Sequence, residues 1–307
     1  MPAESPPLVS IVIAAYVDTA HHATLLDETL RTVAAQTCQD YECIVVDDGS
    51  PHDVRTLVAA HPQTRLVQQA NAGCAMARNA GLAVARGQFV VILDADDYLL
   101  PEALEAGLRE LAAHPECGFS VGRREEMTYE GGPVPWGVPL LPNETRMHHA
   151  LLAAEWYILP PSSAMFRREV VDAVGGFQDP WGADDLDFYL RVAHRFEGRC
   201  FNEPAVTRYR RYSASSSRNG ARMLESMRAV YARQWPLVEG DPAGEAAWHL
   251  GREKLTEIFR DCLAENLRDH AAAGRWRRAL ECIPLLARES PRRLLDEAAR
   301  LDFPAES

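Results

Sequence analysis

The sequence predicts an α/β chain: a doubly wound, mainly parallel sheet flanked by helices, continued by a C-terminal all-helical appendage. Three observations carry this expectation. Short β-rich runs alternate with segments of helical spacing up to about residue 120. Phe89-Val90-Val91-Ile92-Leu93 is apolar throughout, the composition of a parallel strand covered on both faces. Beyond Ser217 the apolar residues recur only at helical spacing.

Val9-Ser10-Ile11-Val12-Ile13-Ala14 opens the pattern as a strand, and Leu26, Leu30, Val33 and Ala34 follow at helical spacing. Cys43-Ile44-Val45-Val46 is a second strand that ends in Asp47-Asp48-Gly49-Ser50. Val54, Leu57 and Val58 mark a short helix, Arg65-Leu66-Val67 a third strand, and 75–85 a helix. Phe89 to Leu93 is the fourth strand, and Pro101 is expected in the first turn of the next helix. Residues 130–142 are rich in Gly and Pro and read as a loop. Val170, Val171 and Val174 lead to a glycine C-cap at Gly175, and 184–196 form a helix with acids in its first turn. Val206 to Tyr212 reads as a strand. In the tail, Leu255, Ile258, Phe259, Cys262, Leu263 and Leu267 form one apolar stripe. Trp276, Leu280, Ile283 and Leu286 form another.

The net charge of −12 argues against a nucleic-acid surface, which needs a basic patch. Lys254 is the only lysine, so chemistry that needs a lysine early in the chain is excluded. The seven cysteines form no C-x-x-C pair and read as free thiols. No apolar run approaches the ~20 residues that cross a bilayer. The expected setting is cytoplasmic, either free or as a peripheral protein at the inner face of the membrane.

Strand ends carry the chemistry. In doubly wound sheets ligands bind beyond the carboxyl ends of the strands. Here two strands end in acid, Asp47-Asp48 and Asp94-Ala95-Asp96-Asp97, so both clusters face one crevice. Three carboxylates within four positions call for a compensating cation, and hard oxygen ligands suit magnesium or manganese. Simple helix capping needs only one such residue.

Four motifs in order then resemble family 2 glycosyltransferases of the GT-A fold, over roughly residues 8–217. They are Ser10 to Tyr16, Val46-Asp47-Asp48-Gly49-Ser50, Asn71-Ala72-Gly73 with Ala77-Arg78-Asn79-Ala80-Gly81, and Asp94-Ala95-Asp96-Asp97. Ala14 and Val17 replace the family's usual proline and asparagine. Downstream, Gly175-Gly176-Phe177 and Asp184-Asp185 are similar to the G-G-F and E-D segments, and Tyr212 stands where a histidine is usual in the final motif.

The resemblance implies a catalytic domain at 1–217, with a nucleotide-sugar half (8–122) and an acceptor half (123–217), and a helical region at 218–307. It implies a nucleotide-sugar donor held by Ala15, Tyr16, Asp18, Asp47, Asp48, Asn71, Gly73, Arg78, Asp94, Ala95 and Asp96. Asp48 would bind the base and Arg78 the diphosphate, with a manganese or magnesium ion on Asp96 and Asp94. Asp185 is the implied general base of an inverting transfer, while Trp181 and Asp184 stand on the acceptor side, Asp184 also as a helix-terminal acid. Arg210, Arg211 and the serines at 213–217 are expected to close over the diphosphate. UDP is the implied carrier, with dTDP and GDP as alternatives.

The acceptor is a hydroxyl on a glycan, a lipid-linked sugar, a protein or a small metabolite, and the helical region is a candidate homodimer surface. Rival readings are weaker. A haloacid-dehalogenase-type phosphatase would need a lysine followed by an acidic pair, and a dehydrogenase would need G-x-G-x-x-G after the first strand. A nucleotidyltransferase would carry a glycine-rich, lysine-bearing segment there. A catalytically silent sugar- or protein-binding module is the remaining alternative.

Overall fold

The computed structural model describes residues 5–135, 137–141, 147–155, 160–178, 182–211 and 218–298. The chain divides into two compact units, Met1–Leu151 with Trp156–Tyr212, and Leu152–Glu155 with Ser213–Ser307.

In the first unit the chain runs β1 (Val9–Ala15), α1 (Ala20–Ala34), β2 (Tyr41–Asp47), α2 (Val54–Ala59), β3 (Thr64–Gln68), α3 (Cys74–Val84), β4 (Phe89–Asp94), β5 (Tyr98–Leu99) and α4 (Ala103–Ala113). It continues through β6 (Phe119–Gly122), β7 (Arg124–Met127), α5 (His148–Leu152), β8 (Ala164–Arg167), α6 (Arg168–Val174), α7 (Asp184–Arg195), β9 (Gly198–Phe201) and β10 (Thr207–Arg210). Among the described residues, seven strands form one sheet in the order β3-β2-β1-β4-β8-β6-β9, and β5-β10-β7 form a second. The large sheet is parallel except where β8 runs antiparallel between β4 and β6.

β1 is the spine of the large sheet because it is apolar on both faces. Val9, Ile11, Val12 and Ile13 are all fully buried. Leu26, Leu30 and Val33 of α1 and Val45 of β2 close the core on one side. On the other, α3 presses its Gly81 onto β1 and β2. A Cβ there would lie 2.3 Å from Val12 Cγ1 and 3.1 Å from Val46 Cγ2. This close seat for α3 sets the height of Arg78, one turn earlier, over the strand ends.

The second unit holds α8 (Gly220–Val238), α9 (Pro242–Ala272), α10 (Trp276–Glu289) and α11 (Pro291–Ala298). Asn219 and Asp241 cap the first two with their side chains. No described helix is long and apolar enough to cross a membrane.

Three expectations are corrected. Pro101 lies in a turn, and α4 begins at Ala103 behind Glu102. The inward face of α10 is Ala279, Cys282 and Leu286, leaving Leu280 exposed. The strands β6 to β9 had no counterpart in the sequence reading. They are four residues long, and Arg124-Glu125-Glu126 is charged, so none offers a strand pattern long enough to stand out in the sequence.

Gly81→Ala is expected to destabilise the protein by about 1–3 kcal/mol from overpacking, although alanine favours an isolated helix by about 1 kcal/mol. Urea denaturation measures the balance; a stabilised variant would show that α3 lifts freely off the sheet.

Candidate active site

After β3 the chain returns through α3 to place β4 on the opposite side of β1 from β2. That reversal opens a crevice at the carboxyl ends of β1 and β4. The register puts Ala15 opposite Asp47 and Ala14 opposite Asp94. Asp47 and Asp94 therefore flank the end of β1, roughly 10 Å apart at the usual strand spacing.

On the β2 side the carboxylates organise a turn. Asp47 accepts from Ser50 N at 2.9 Å and Gln68 Nε2 at 3.1 Å. Asp48 accepts from Ala72 N (2.8 Å), Gly73 N (2.9 Å) and Gln69 Nε2 (2.7 Å). Asn71 Nδ2 donates back to the Asp48 carbonyl at 3.0 Å. Gly49 (φ +75°) must be glycine, because a Cβ would stand 2.8 Å from Asn71 N. Asp48, expected to bind a base, thus already spends three of its four acceptor positions on the 69–73 segment, whereas Asp47 spends two. Nearby, Tyr16 is 50% exposed at the end of β1, and Asp18 is exposed with an oxygen 2.5 Å from His22 Nδ1.

Arg78, expected at the diphosphate, is 4% exposed. Its Nη2 donates to Asp94 Oδ1 at 2.6 Å and its Nη1 to Asp184 Oδ2, while its Cζ lies 5.2 Å from the centroid of the Phe177 ring. Against the opposing effect of burial, Asp184, then Cys74 and Asp94, hold it well above the usual arginine range. The next residue completes the attachment: Asn79 Nδ2 donates to Phe177 O and Asn79 Oδ1 accepts from Phe177 N, both at 2.8 Å. Two consecutive α3 residues thus fasten the segment that leads into α7.

This fastening delivers the first turn of α7 to the crevice. Burial raises Asp184 above the ordinary carboxylate range despite Arg78. Burial, and then the charge of Asp184, push Asp185 up to about 7, with Arg78 and the bond from Leu186 N opposing. Asp187 turns away to Arg191 Nε at 2.8 Å.

The Asp94-Ala95-Asp96-Asp97 segment divides its work. Asp94 Oδ2 accepts no hydrogen bond among the described residues, and Asp96 is half-buried. The Ala95 carbonyl accepts from Thr29. Asp97 is fully buried and accepts from Arg210 N at 2.9 Å. Burial and then the charges of Asp96 and Asp94 raise its carboxyl far above the ordinary range. Arg210, expected over a diphosphate, is instead buried: Nε donates to Asp96 O (2.8 Å), Nη1 to Tyr129 O (2.5 Å) and Nη2 to Glu28 Oε2 (2.9 Å). Arg211 is partly exposed, 3.9 Å from Glu126.

No group of three or more described acidic, His or Cys side chains could by itself hold a metal ion. Asp94 and Asp96 still fit a magnesium or manganese site, because such ions bind through one or two carboxylates and complete their shell with phosphate oxygens.

Trp136, Trp156, Tyr157, Trp181, Tyr212 and 213–217 lie outside the described residues. The sequence reading missed Tyr209, on which Asp97, Asp94, Asp96 and Asp185 all act after burial has raised its hydroxyl. Its place next to Arg210 in the final motif was the available signal. It also missed the clip made by Asn79, the third residue of Ala77-Arg78-Asn79.

A crevice of carboxylates at the switch point lies where sheets of this kind bind their ligands. The chain belongs to glycosyl transferase family 2, whose pattern matches residues 10–175. A chondroitin synthase of Escherichia coli is 36% identical over 194 residues, 61% of this chain and 26% of the synthase. The chain spans between 11% and 26% of the length of several of the curated relatives it matches. Staphylococcus aureus TarS 1–349 in complex with UDP-GlcNAc superposes with a TM-score of 0.63 at 16% identity, covering 94% of this chain and 82% of that one. The mannosyltransferase PcManGT from Pyrobaculum calidifontis, in complex with GDP-Man and Mn2+, gives 0.56 at 23% identity over 99% and 89%. At these identities the structures establish the GT-A fold.

Two outcomes test the geometry. Arg78→Ala leaves Asp184 buried and unpaired and is expected to cost about 3–5 kcal/mol by urea denaturation. Asp185→Asn is expected to stabilise. The folded carboxyl titrates near 7 rather than 3.8, so its ionisation opposes folding increasingly from about pH 4 to 7 and constantly above. The gain should be on the order of 2 kcal/mol at pH 8, allowing for partial exposure, and vanish by pH 4. A gain that does not change with pH would contradict the assignment.

Proposed function

We propose that this chain is an inverting glycosyltransferase that uses a UDP-sugar and a divalent cation, with Asp185 as the general base. One observation carries the reading: Arg78 is bonded to both Asp94 and Asp184, so a single side chain holds the base-bearing turn of α7 against the cation-binding end of β4.

Inversion requires the acceptor hydroxyl and the departing diphosphate to lie on opposite faces of the anomeric carbon. Asp185 accepts the hydroxyl proton as its oxygen attacks. A carboxyl titrating near 7 is a stronger base than an ordinary aspartate and is still ionised at neutral pH to a useful extent. Asp184, spent on Arg78, aims the turn and takes no proton. Asp96 and Asp94 Oδ2 would hold the cation, which when bound would supply charge stabilisation to the leaving diphosphate. Arg210 fixes the Asp96 carbonyl and Asp97, keeping those ligands in register.

On the other side of β1, Asp47 retains two acceptor positions and Asp48 one for the base and ribose, and the exposed Tyr16 ring offers a stacking face. The UDP-GlcNAc complex of TarS and the GDP-Man and Mn2+ complex of PcManGT support a nucleotide-sugar and a cation as ligands of this fold. The Asp47–Asp48 acceptors suit a uracil N–H. The acceptor is a hydroxyl compound, and residues 218–307 serve as an appendage to a catalytic domain at 1–217.

A coupled assay with UDP-sugars and manganese tests the reading. Asp185→Asn is expected to lower transfer by at least about a hundredfold, in keeping with loss of a general base, while donor binding by calorimetry stays intact. Asp96→Ala is expected to remove the manganese dependence of donor binding. Equal loss of binding and turnover in Asp185→Asn would reassign that residue. The wild-type kcat/KM should rise with pH through about 7 as Asp185 ionises; a flat profile from pH 5 to 9 would exclude Asp185 as base.

A further inference from the structure

Beyond the crevice, the small sheet carries a cleft that the donor chemistry does not use. At the end of β7 the chain reverses tightly: Gly131 N donates to Thr128 O at 3.0 Å, Gly132 N to Thr128 Oγ1 at 3.1 Å, and Met127 bridges to Pro133. The returning strap is tied again at its far end, where Asn202 exchanges two bonds with the Leu141 backbone at 2.8 and 2.9 Å. Between the strap and the β7–β10 pair lies a cleft of about 360 Å3, within the range of small-molecule sites.

Its walls are chemically mixed. Arg123, Arg208, Glu125 and Glu126 supply two positive and two negative groups, and Val134 and Val138 supply apolar surface. Glu125 and Arg208 face each other across the parallel register, with Glu125 Oε2 at 3.0 Å from Arg208 Nε and 2.8 Å from Nη2. Both side chains are more than a third exposed, so each keeps hydrogen-bonding positions open to a ligand. Arg123 is held from behind by Asn202 O at 3.0 Å.

We propose that this cleft binds a neutral saccharide unit of the acceptor. Sugar rings present hydroxyls that can donate to a carboxylate and accept from a guanidinium at once, and C–H faces that pack on valine. A phosphate or carboxylate ligand would find Arg208 already paired with Glu125 at 2.8 Å and Arg123 with Glu203 at 3.3 Å. The cleft is also placed for an acceptor. Arg208 and Arg210 lie two residues apart on β10, roughly 7 Å, and Arg210 holds the Asp96 carbonyl. Gly131 lines the cleft, and a Cβ there would lie 3.8 Å from Arg210 Nη1. The inner end of the cleft therefore adjoins the residue that supports the cation-binding loop. Assignment to the acceptor rests on sugar transfer as the reaction; binding of a sugar by the cleft does not.

The test is direct binding to the full chain, without nucleotide or metal, so that failure of the donor and cation assignments leaves it readable. The 15N-labelled protein is titrated with methyl β-glucopyranoside, with methyl N-acetyl-β-glucosaminide, and with glucose 6-phosphate as the charged probe. Saturable shifts are expected at the amides of Glu125, Gly132, Val134 and Arg208 with at least one neutral glycoside. Arg208→Gln should weaken that binding by about tenfold, the effect of losing one charge-assisted bond. Val138→Trp, which fills the cleft and leaves the ion pair in place, should abolish it and carries the test alone if Arg208→Gln fails to fold. Absence of shifts at those amides with both glycosides, shifts that survive Val138→Trp, or tighter binding of glucose 6-phosphate would each overturn the proposal.

Discussion

Arg78 is the constraint on which the site depends. Its guanidinium lies between Asp94, 16 residues on, and Asp184, 106 residues on. A buried cation is tolerated only when its desolvation is offset by charge and hydrogen bonds, and here two carboxylates and the face of Phe177 supply them. The pairing is therefore obligatory for both partners. Removing Arg78 leaves the buried Asp184 without its counterpart, and removing Asp184 leaves Arg78 with the half-buried Asp94 alone. Because Asp94 ends a central strand and Asp184 opens a helix, satisfying this one side chain fixes the relative placement of two separate segments of the catalytic unit.

The consequences spread from that clamp. Asp185 follows Asp184 into the same low-dielectric corner and titrates near neutrality because burial and the Asp184 charge outweigh the lowering effect of Arg78. On the opposite side of β4, Arg210 does for Asp96 and Asp97 what Arg78 does for Asp94 and Asp184, through a backbone carbonyl and a backbone N–H. The crevice thus has buried arginines on two flanks and carboxylates between them.

Much of the fold was legible because its signals are local. The strands β1, β2 and β4 are apolar runs whose ends are marked by acids, and α7 announces itself with three aspartates in its first turn. The unrecognised strands β6 to β9 lack such signals. Arg124 and Glu126 belong to a strand because each neutralises the other at 3.1 Å across the same face, and the β7–β10 pairing brings Glu125 to Arg208, a residue far along the chain. Charged residues become strand residues only once their partners are in place.

By itself the sequence determined the alternation of strand and helix, the acids at two strand ends and therefore the existence of a shared crevice, since parallel strand direction follows from the alternation of strand and helix. Which of those charges face a ligand was decided by tertiary structure. Arg78 and Arg210 are basic residues in motifs that suggest phosphate contact, yet both are buried on protein carboxylates or carbonyls. Asp48 spends most of its acceptor capacity on the turn beside it. The physical reason is common to all three. A charged side chain takes the partner that removes it from water at least cost, and that partner is set by groups brought close only when the chain has folded.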